Sequence, residues 1–137
     1  MFICRKFAAV SSRRVNGERK VEAEKGQIDY LLGNGPEGSP SINGSPGSLQ
    51  VGYLDNSPQT PHHKAASCPA TGTCGWDNLN SPHPNPFTLY GALIGGPESA
   101  TDVFENDRNN YVTNEVALDY NCGFQGTLAK IKFINIY

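Results

Sequence analysis

The stretch "YVTNEVALDYNCGF", residues 111–124, begins the longest regular pattern in this 137-residue chain. Thr113 or Asn114 suits the N-cap of a helix, which would place Glu115 in its first turn. Apolar residues then recur at helical spacing: Val116, Tyr120, Phe124, Leu128 and Ile131. The pattern predicts a C-terminal helix with a carboxylate at its start. The closing "KIKFINIY" fits a continued helix or an extended tail.

Glu115 has two interpretations on the residues alone. A carboxylate at a helix N-terminus stabilises the helix by at most about 1 kcal/mol. A catalytic acid instead needs a pKa raised toward working pH by burial or by a second carboxylate. Asp102, Asp107 and Asp119 would supply such charge if the fold brought them close. Both interpretations stay open at this point.

A second helix is predicted near the N-terminus, over about Gly17–Leu32. Its sequence, "GERKVEAEKGQIDYLL", is followed by Gly33 as a C-terminal cap. One face is apolar, and i,i+4 charge pairs lie on the other. The apolar residues are Val21, Ile28, Leu31 and Leu32, and the charge pairs are Lys20–Glu24 and Lys25–Asp29.

The intervening residues 33–98 contain all ten prolines and 11 of the 15 glycines, so they read as long loops. One apolar island, Phe87 to Ile94, interrupts them. Two helices and such a loop cannot cover each other well, so the chain resembles part of a domain. Loops of this length are typical of functional segments or of a missing partner surface.

Charge is unevenly distributed. Residues 1–26 hold seven Lys/Arg against three Glu, and the remaining residues hold four Lys/Arg against ten Asp/Glu. An acidic body argues against nucleic-acid binding. No run approaches the roughly 18 apolar residues of a membrane span. In "MFICRKFAAVSS", Arg5 and Lys6 interrupt the apolar region, so no usable signal peptide is predicted and the location of this chain stays unknown.

The histidines and cysteines leave three interpretations. His62, His63 and His83 with Cys68 and Cys74 invite a zinc site, but the cysteine spacing is wider than usual and adjacent histidines cannot easily face one ion. We therefore predict no metal. A Cys68–Cys74 disulfide is favoured over zinc in an oxidising compartment, and free structural cysteines are the default. Separately, Asp119, Tyr120 and Trp76 are candidates for sugar binding, although Tyr120 equally suits the core.

Four stretches in order resemble glycoside hydrolase family 9: "QIDYLLG", "VGYLDNSPQTPHHKAASCP", "NPFTLYGALIGGP" and "DRNNYVTNEVALDYNCGFQGTLA". The resemblance runs from about Gln27 to Lys130. It implies the C-terminal part of an (α/α)6 barrel, mainly α with long Gly/Pro-rich loops. The predicted organisation is therefore a poorly matching basic segment, residues 1–26, and a catalytic-domain fragment, residues 27–137.

The resemblance also implies roles. Glu115 matches the general acid of endoglucanases that cut internal β-1,4-glucosidic bonds of cellulose with inversion. His62 matches a catalytic-site histidine that holds sugar, and Lys64 stands where the pattern has a sugar-binding Arg. Tyr120 matches a tyrosine that lines the same cleft. No cofactor is implied, the partner is a β-1,4-glucan, and full-length members are secreted.

Departures from the pattern bear on activity. At Lys64, the compact charge of an ammonium group replaces the planar guanidinium of the Arg in the family pattern. Leu54 stands at a Gly position, Asn106 at an Asp position, and Cys122 at a small-residue position. The Asp-Ala-Gly-Asp motif of the catalytic base is absent from the chain. Two functions follow: the acid-bearing part of an endoglucanase that lacks its N-terminal part, or an inactive fragment that at most binds glucan weakly.

Overall fold

A computed structural model describes residues 17–34, 39–99 and 102–136 of the chain. Residues 1–16 of the predicted basic segment lie outside that range. Within it, no helix is long and apolar enough to cross a bilayer. Two long helices lie at the ends of the described chain, with short elements between them. In chain order the elements are α1 (Gly17–Leu32), β1 (Ser41–Ile42), β2 (Ser45–Pro46), α2 (Lys64–Ser67), α3 (Trp76–Leu79), β3 (Val103–Phe104), α4 (Tyr111–Asn114) and α5 (Leu118–Ile136).

The N-terminal helix is confirmed with the predicted bounds. Gly33 follows it with φ +85°, and the Asn34 backbone N–H donates to the Asp29 carbonyl at 2.8 Å, as in a glycine C-cap. Ile28 and Leu31 are buried on its apolar face. The ion pair found among the described side chains joins Glu24 to Lys130 of α5 at 2.7 Å, and the predicted Lys25–Asp29 pair is absent there.

The C-terminal helix continues to Ile136, so "KIKFINIY" does not leave it as an extended tail. Phe124 is buried, and Tyr120 and Ile131 are partly buried against the core. Leu128, at 37% exposure, lies at the margin of the stripe. The helix begins later than predicted, at Leu118. Val116 is therefore outside the helix, although it still packs on the core.

One hydrophobic core joins both helices to the loop region. The apolar island is part of it, since Leu93 and Ile94 are fully buried. A small sheet of order β2–β1–β3 covers one side, with β1 antiparallel to β2 and parallel to β3. The fully or nearly buried members are Ile28, Leu31, Ile42, Leu49, Val51, Leu93, Ile94, Phe104 and Phe124.

In the loop region, hydrogen bonds from side chains to the backbone connect segments that are not joined by strands or helices. The Asn56 amide donates to the backbone carbonyls of Ser45 and Pro46 at 2.9 and 2.8 Å. Asn106 accepts from the backbone N–H and the hydroxyl of Thr60 through its side-chain oxygen, at 3.1 and 2.9 Å. Such bonds satisfy backbone groups that no strand partner reaches.

Cys68 and Cys74 form a disulfide, with Cα atoms 5.3 Å apart, so the interpretation of these two residues as free thiols or as zinc ligands is wrong. The described residues include no group of three or more His, Cys, Asp or Glu side chains placed to hold a metal ion. Cys122 is an exposed free thiol.

Removing this disulfide should loosen the segment that follows it. For a loop this short, chain entropy gives a stabilisation of about 2 kcal/mol, or about 30-fold in a local opening equilibrium. We therefore expect chymotrypsin to cleave after the exposed Trp76 about 30-fold faster in the Cys68→Ser/Cys74→Ser chain. Cys122→Ser is the control and should cleave at the original rate. Equal rates in all three chains would contradict the stabilising role.

Candidate active site

Glu115 lies between the short helix α4 and the long helix α5, and not in the first turn of either, so that prediction is wrong. It follows α4 and has extended backbone angles, φ −62° and ψ 140°. The N-cap of α4 is Asn110, whose side-chain oxygen accepts from the Val112 and Thr113 backbone N–H groups. The helix cannot run on through Glu115 because this residue pairs with distant segments of the chain.

The backbone at Glu115 is held from both sides. On one side, Glu115 and His62 are partners in a one-pair parallel β-bridge, and the His62 N–H donates to the Asn114 carbonyl at 2.8 Å. On the other side, the Gly95 N–H donates to the Glu115 carbonyl at 2.9 Å. The Glu115 side chain itself is exposed. A rigid backbone thus presents a solvent-accessible carboxyl group next to His62.

His62 is oriented by a backbone group of a third segment. Its Nδ1 lies 2.7 Å from the carbonyl oxygen of Arg108. A carbonyl oxygen can only accept, so Nδ1 carries the proton, and the Nε2 of the neutral ring is an acceptor. The ring also lies 6.2 Å from that of Tyr111, tilted by 59°. The imidazole therefore has one defined tautomer and a restrained orientation.

A cavity of about 370 Å³ opens beside His62. Lys64, the exposed first residue of α2, lines it, and so does Trp76, which begins α3 and is 77% exposed. The Cys68–Cys74 disulfide and the buried Arg108 also contribute to the lining. The cavity combines an aromatic face with charged and imidazole groups, which is the composition of a small-molecule pocket.

Tyr120 lies apart from that cavity lining. It is partly buried and packs against the hydrophobic core on α5. The structure therefore places His62 and Lys64 at one cavity and pairs the backbone of Glu115 with that of His62, while Glu115 is not among the residues that line the cavity. The assignment of Tyr120 as a sugar contact stays a prediction, as do the roles of the other three.

A family model described as "Glycosyl hydrolase family 9" matches residues 3–128. The chain belongs to glycosyl hydrolase family 9. The match begins upstream of the boundary predicted at residue 27, and that division of the chain stays a prediction.

Named relatives of this family 9 chain are endoglucanases. One from Dictyostelium discoideum is 40% identical over 114 residues, which are 83% of this chain and 14% of that protein. The endoglucanase structure from the termite Nasutitermes takasagoensis matches with 40% identity and a TM-score of 0.70, covering 90% of this chain and 26% of that one. Endoglucanase CelQ from Clostridium thermocellum, complexed with cellobiose and cellotriose, matches with 36% identity and a TM-score of 0.65 over 92% and 19%. The chain thus spans a minor part of each.

Two departures from the family 9 pattern have structural explanations. Leu54 does not strain its turn, because the described non-glycine residues with positive φ are Asn43 and Asp102. Asn106 uses its side-chain oxygen as an acceptor for the Thr60 segment, and an aspartate oxygen would do the same.

Sequence reasoning missed Arg108, which is only 2% exposed. Burial lowers the pKa of its guanidinium, and the negative charge of Asp107 partly offsets this effect. The one available signal was a single Arg, in "DRNNY", within an otherwise acidic stretch. Its partners lie 23 to 30 residues away, so local spacing does not reveal them.

Gly95 is the close contact that sets the position of the Glu115 segment. A Cβ there would lie 2.6 Å from the Val112 carbonyl oxygen, which requires the two segments to separate. We expect Gly95→Ala to cost roughly 1–3 kcal/mol locally. Hydrogen exchange of the Gly96 N–H, which donates to the Thr113 carbonyl, should accelerate about tenfold or more.

The matched control for Gly95→Ala is Gly123→Ala. A Cβ at Gly123 meets nothing within 4 Å, and the residue lies within α5. The same methyl group should there stabilise the helix by about 0.5–1 kcal/mol. Unchanged Gly96 exchange in Gly95→Ala would show that the segments do not depend on this contact.

Proposed function

We propose that this chain is the acid-bearing part of an inverting endoglucanase that hydrolyses internal β-1,4-glucosidic bonds. In this proposal Glu115 protonates the departing glycosidic oxygen. The observation that carries it is the exposed carboxyl group of Glu115 on a segment bridged to His62, beside a cavity lined by His62. A general acid must reach its substrate from a fixed position, and a backbone held on both sides supports that requirement.

His62, Lys64 and Tyr120 are proposed to position the glucan. The Nε2 of His62 is available to accept a hydrogen bond from a sugar hydroxyl, and the Lys64 ammonium donates to sugar oxygens. Trp76 offers an aromatic face at the same cavity. The partner class, a β-1,4-glucan, is also supported by the cellobiose and cellotriose bound to the CelQ relative.

The catalytic base is proposed to lie outside these 137 residues. Inverting hydrolysis needs a second carboxylate, roughly 6.5–9.5 Å from the acid, to activate water. The family's Asp-Ala-Gly-Asp motif does not occur in the chain. We therefore propose that the chain acts as the C-terminal part of an (α/α)6 barrel whose N-terminal part supplies the base. The Cys68–Cys74 disulfide supports an oxidising, extracellular setting for such an enzyme.

The second candidate is a non-hydrolytic fragment that binds glucan weakly. Its supporting observation is independent of Glu115: the exposed Trp76 and the cavity wall of His62 and Lys64 are present without any base. In this case the chain would bind cello-oligosaccharides and release no product.

The two candidates are separated by supplying the missing part. In the termite endoglucanase, the region that matches this chain is replaced by this chain, and the upstream portion of the termite protein is kept. We call the product the grafted enzyme. We expect the 137-residue chain alone to release no reducing sugar from soluble cellulose, and the grafted enzyme to release it. A grafted enzyme that folds and binds cellotriose but does not hydrolyse would contradict the catalytic proposal and favour the binding fragment.

A further inference from the structure

Arg108 is a buried cation in the loop region. Its guanidinium donates to the backbone carbonyls of Asn78 and Ser81 through one nitrogen, each at 2.8 Å, and to that of His83 through the other, at 2.8 Å. Its Nε donates to the Asn85 side-chain oxygen at 2.7 Å. No carboxylate pairs with it among the described residues. The planar fork is thus used almost entirely to bind one loop, residues 78–85.

That loop includes the end of the helical turn on which Trp76 lies. The last carbonyls of a helical turn have no partner within it, and a cation at that end is favourable. Asn78 and Leu79 belong to the last residues of α3, and their carbonyls lie 2.8 and 3.4 Å from the same guanidinium nitrogen. Arg108 therefore holds the C-terminal end of α3, the helical turn that carries the Trp76 indole at the cavity.

The backbone of Arg108 contacts a second residue that lines the same cavity, His62. Its carbonyl oxygen accepts from His62 Nδ1 at 2.7 Å. One residue thus orients the imidazole wall through its main chain and the indole wall through its side chain. These two walls face a single space of about 370 Å³, to which the Arg108 side chain also contributes lining.

We propose that Arg108 is a positioning residue that sets the distance between Trp76 and His62 across the sugar-binding cavity. The inference rests on the proposed function, because it assumes that a glucan occupies this cavity. Arg108 itself need not contact the sugar. Its substitution should therefore weaken glucan binding and leave proton donation from Glu115 nearly unchanged.

The binding test uses the grafted enzyme, because the isolated chain is expected to lack a cooperative fold. The grafted enzyme carries Glu115→Gln in every variant so that cellotriose is not consumed. It is titrated with cellotriose by calorimetry, and the midpoint of binding is compared between variants. Arg108→Lys keeps the charge and loses the fork. We expect its midpoint to rise about tenfold, which corresponds to about 1.4 kcal/mol. In the grafted enzyme with Glu115 restored, KM should rise similarly while kcat stays within about twofold.

Asn56→Ala is the matched control. Asn56 likewise donates to two loop carbonyls, those of Ser45 and Pro46, but it does not line the cavity. This variant should leave the cellotriose midpoint unchanged. If Arg108→Lys loses its helical circular dichroism, Asn85→Ala replaces it and should raise the midpoint about threefold. This change removes the Nε acceptor of Arg108 together with the side-chain hydrogen bonds of Asn85 to Pro61 and Ser67.

If a folded grafted enzyme with Arg108→Lys or Asn85→Ala has the same cellotriose midpoint as the grafted enzyme without that substitution, the inference alone is overturned. An equal rise in Asn56→Ala would also overturn it, because any weakened loop would then have the same effect. A folded grafted enzyme without these substitutions that shows no saturable response to cellotriose would count against the proposed glucan site itself, and against the inference with it.

Discussion

Replacement of Glu115 by Gln in the grafted enzyme is expected to lower kcat on soluble cellulose by about 10²- to 10⁴-fold. The amide has the shape of the protonated acid but has no acidic proton to give the departing oxygen. Because the backbone at this position is held by His62 and Gly95, the substitution should leave the geometry intact and change KM little.

Dinitrophenyl β-cellobioside tests the proton donation itself. Its phenolate leaves without protonation, so Glu115→Gln should retain most of its activity on this substrate while losing it on cellulose. Glu105→Gln is the control, because Glu105 is also exposed and, among the described residues, bonds to the Asn114 amide and the Asp107 N–H through its backbone carbonyl. A variant at 115 that is equally impaired on both substrates, or impaired on neither, would exclude the role of general acid.

The isolated chain is expected to melt without a cooperative transition. A two-state domain of this length would absorb roughly 90–100 kcal/mol at its midpoint. Large apolar side chains on α5 face solvent, with Leu118 at 91%, Phe133 at 64% and Ile134 at 41% exposure. In a barrel such faces are covered by further helices, and uncovered they promote aggregation. We expect a broad calorimetric signal well below that enthalpy.

Phe133→Lys should have opposite effects on the isolated chain, which it should make less prone to aggregation, and on the grafted enzyme, which it should destabilise. In the isolated chain the charge replaces an exposed ring, so aggregation should fall and the broad melt should persist. In the grafted enzyme the same lysine would face neighbouring helices, and the melting temperature should drop by several degrees. A sharp two-state melt of the isolated chain would show that these 137 residues form a self-sufficient domain.

Elements fixed by local interactions were predictable from the sequence, and elements fixed by contacts between distant residues were not. The helix Gly17–Leu32 was predicted with its bounds because its apolar period, its capping Gly33 and its composition are all local. The start of the second helix was misplaced because residues 113–116 pair with residues 62 and 94–96, and this pairing overrides a good local capping pattern. Only the family resemblance associated Glu115 with His62, which lies 53 residues earlier in the sequence.

The cavity was beyond sequence reasoning for the same reason. Trp76 was a sugar-binding candidate by its chemistry, and Lys64 by its motif, but nothing local indicated that one space lies beside both. The guanidinium of Arg108 supplies that link by binding a loop 23 to 30 residues upstream. Tyr120 illustrates the reverse case, since its helical period predicted the core contact that the structure contains.

The disulfide-closed loop has a consequence for how enzymes of this kind diversify and are engineered. Residues 69–73 are exposed, and the Cys68–Cys74 disulfide joins the two ends of this loop. Insertions or exchanges at this tip should therefore change what surrounds Trp76 while Glu115, the proposed acid, keeps its place. The loop offers a library position at which substrate preference can be selected independently of catalytic rate.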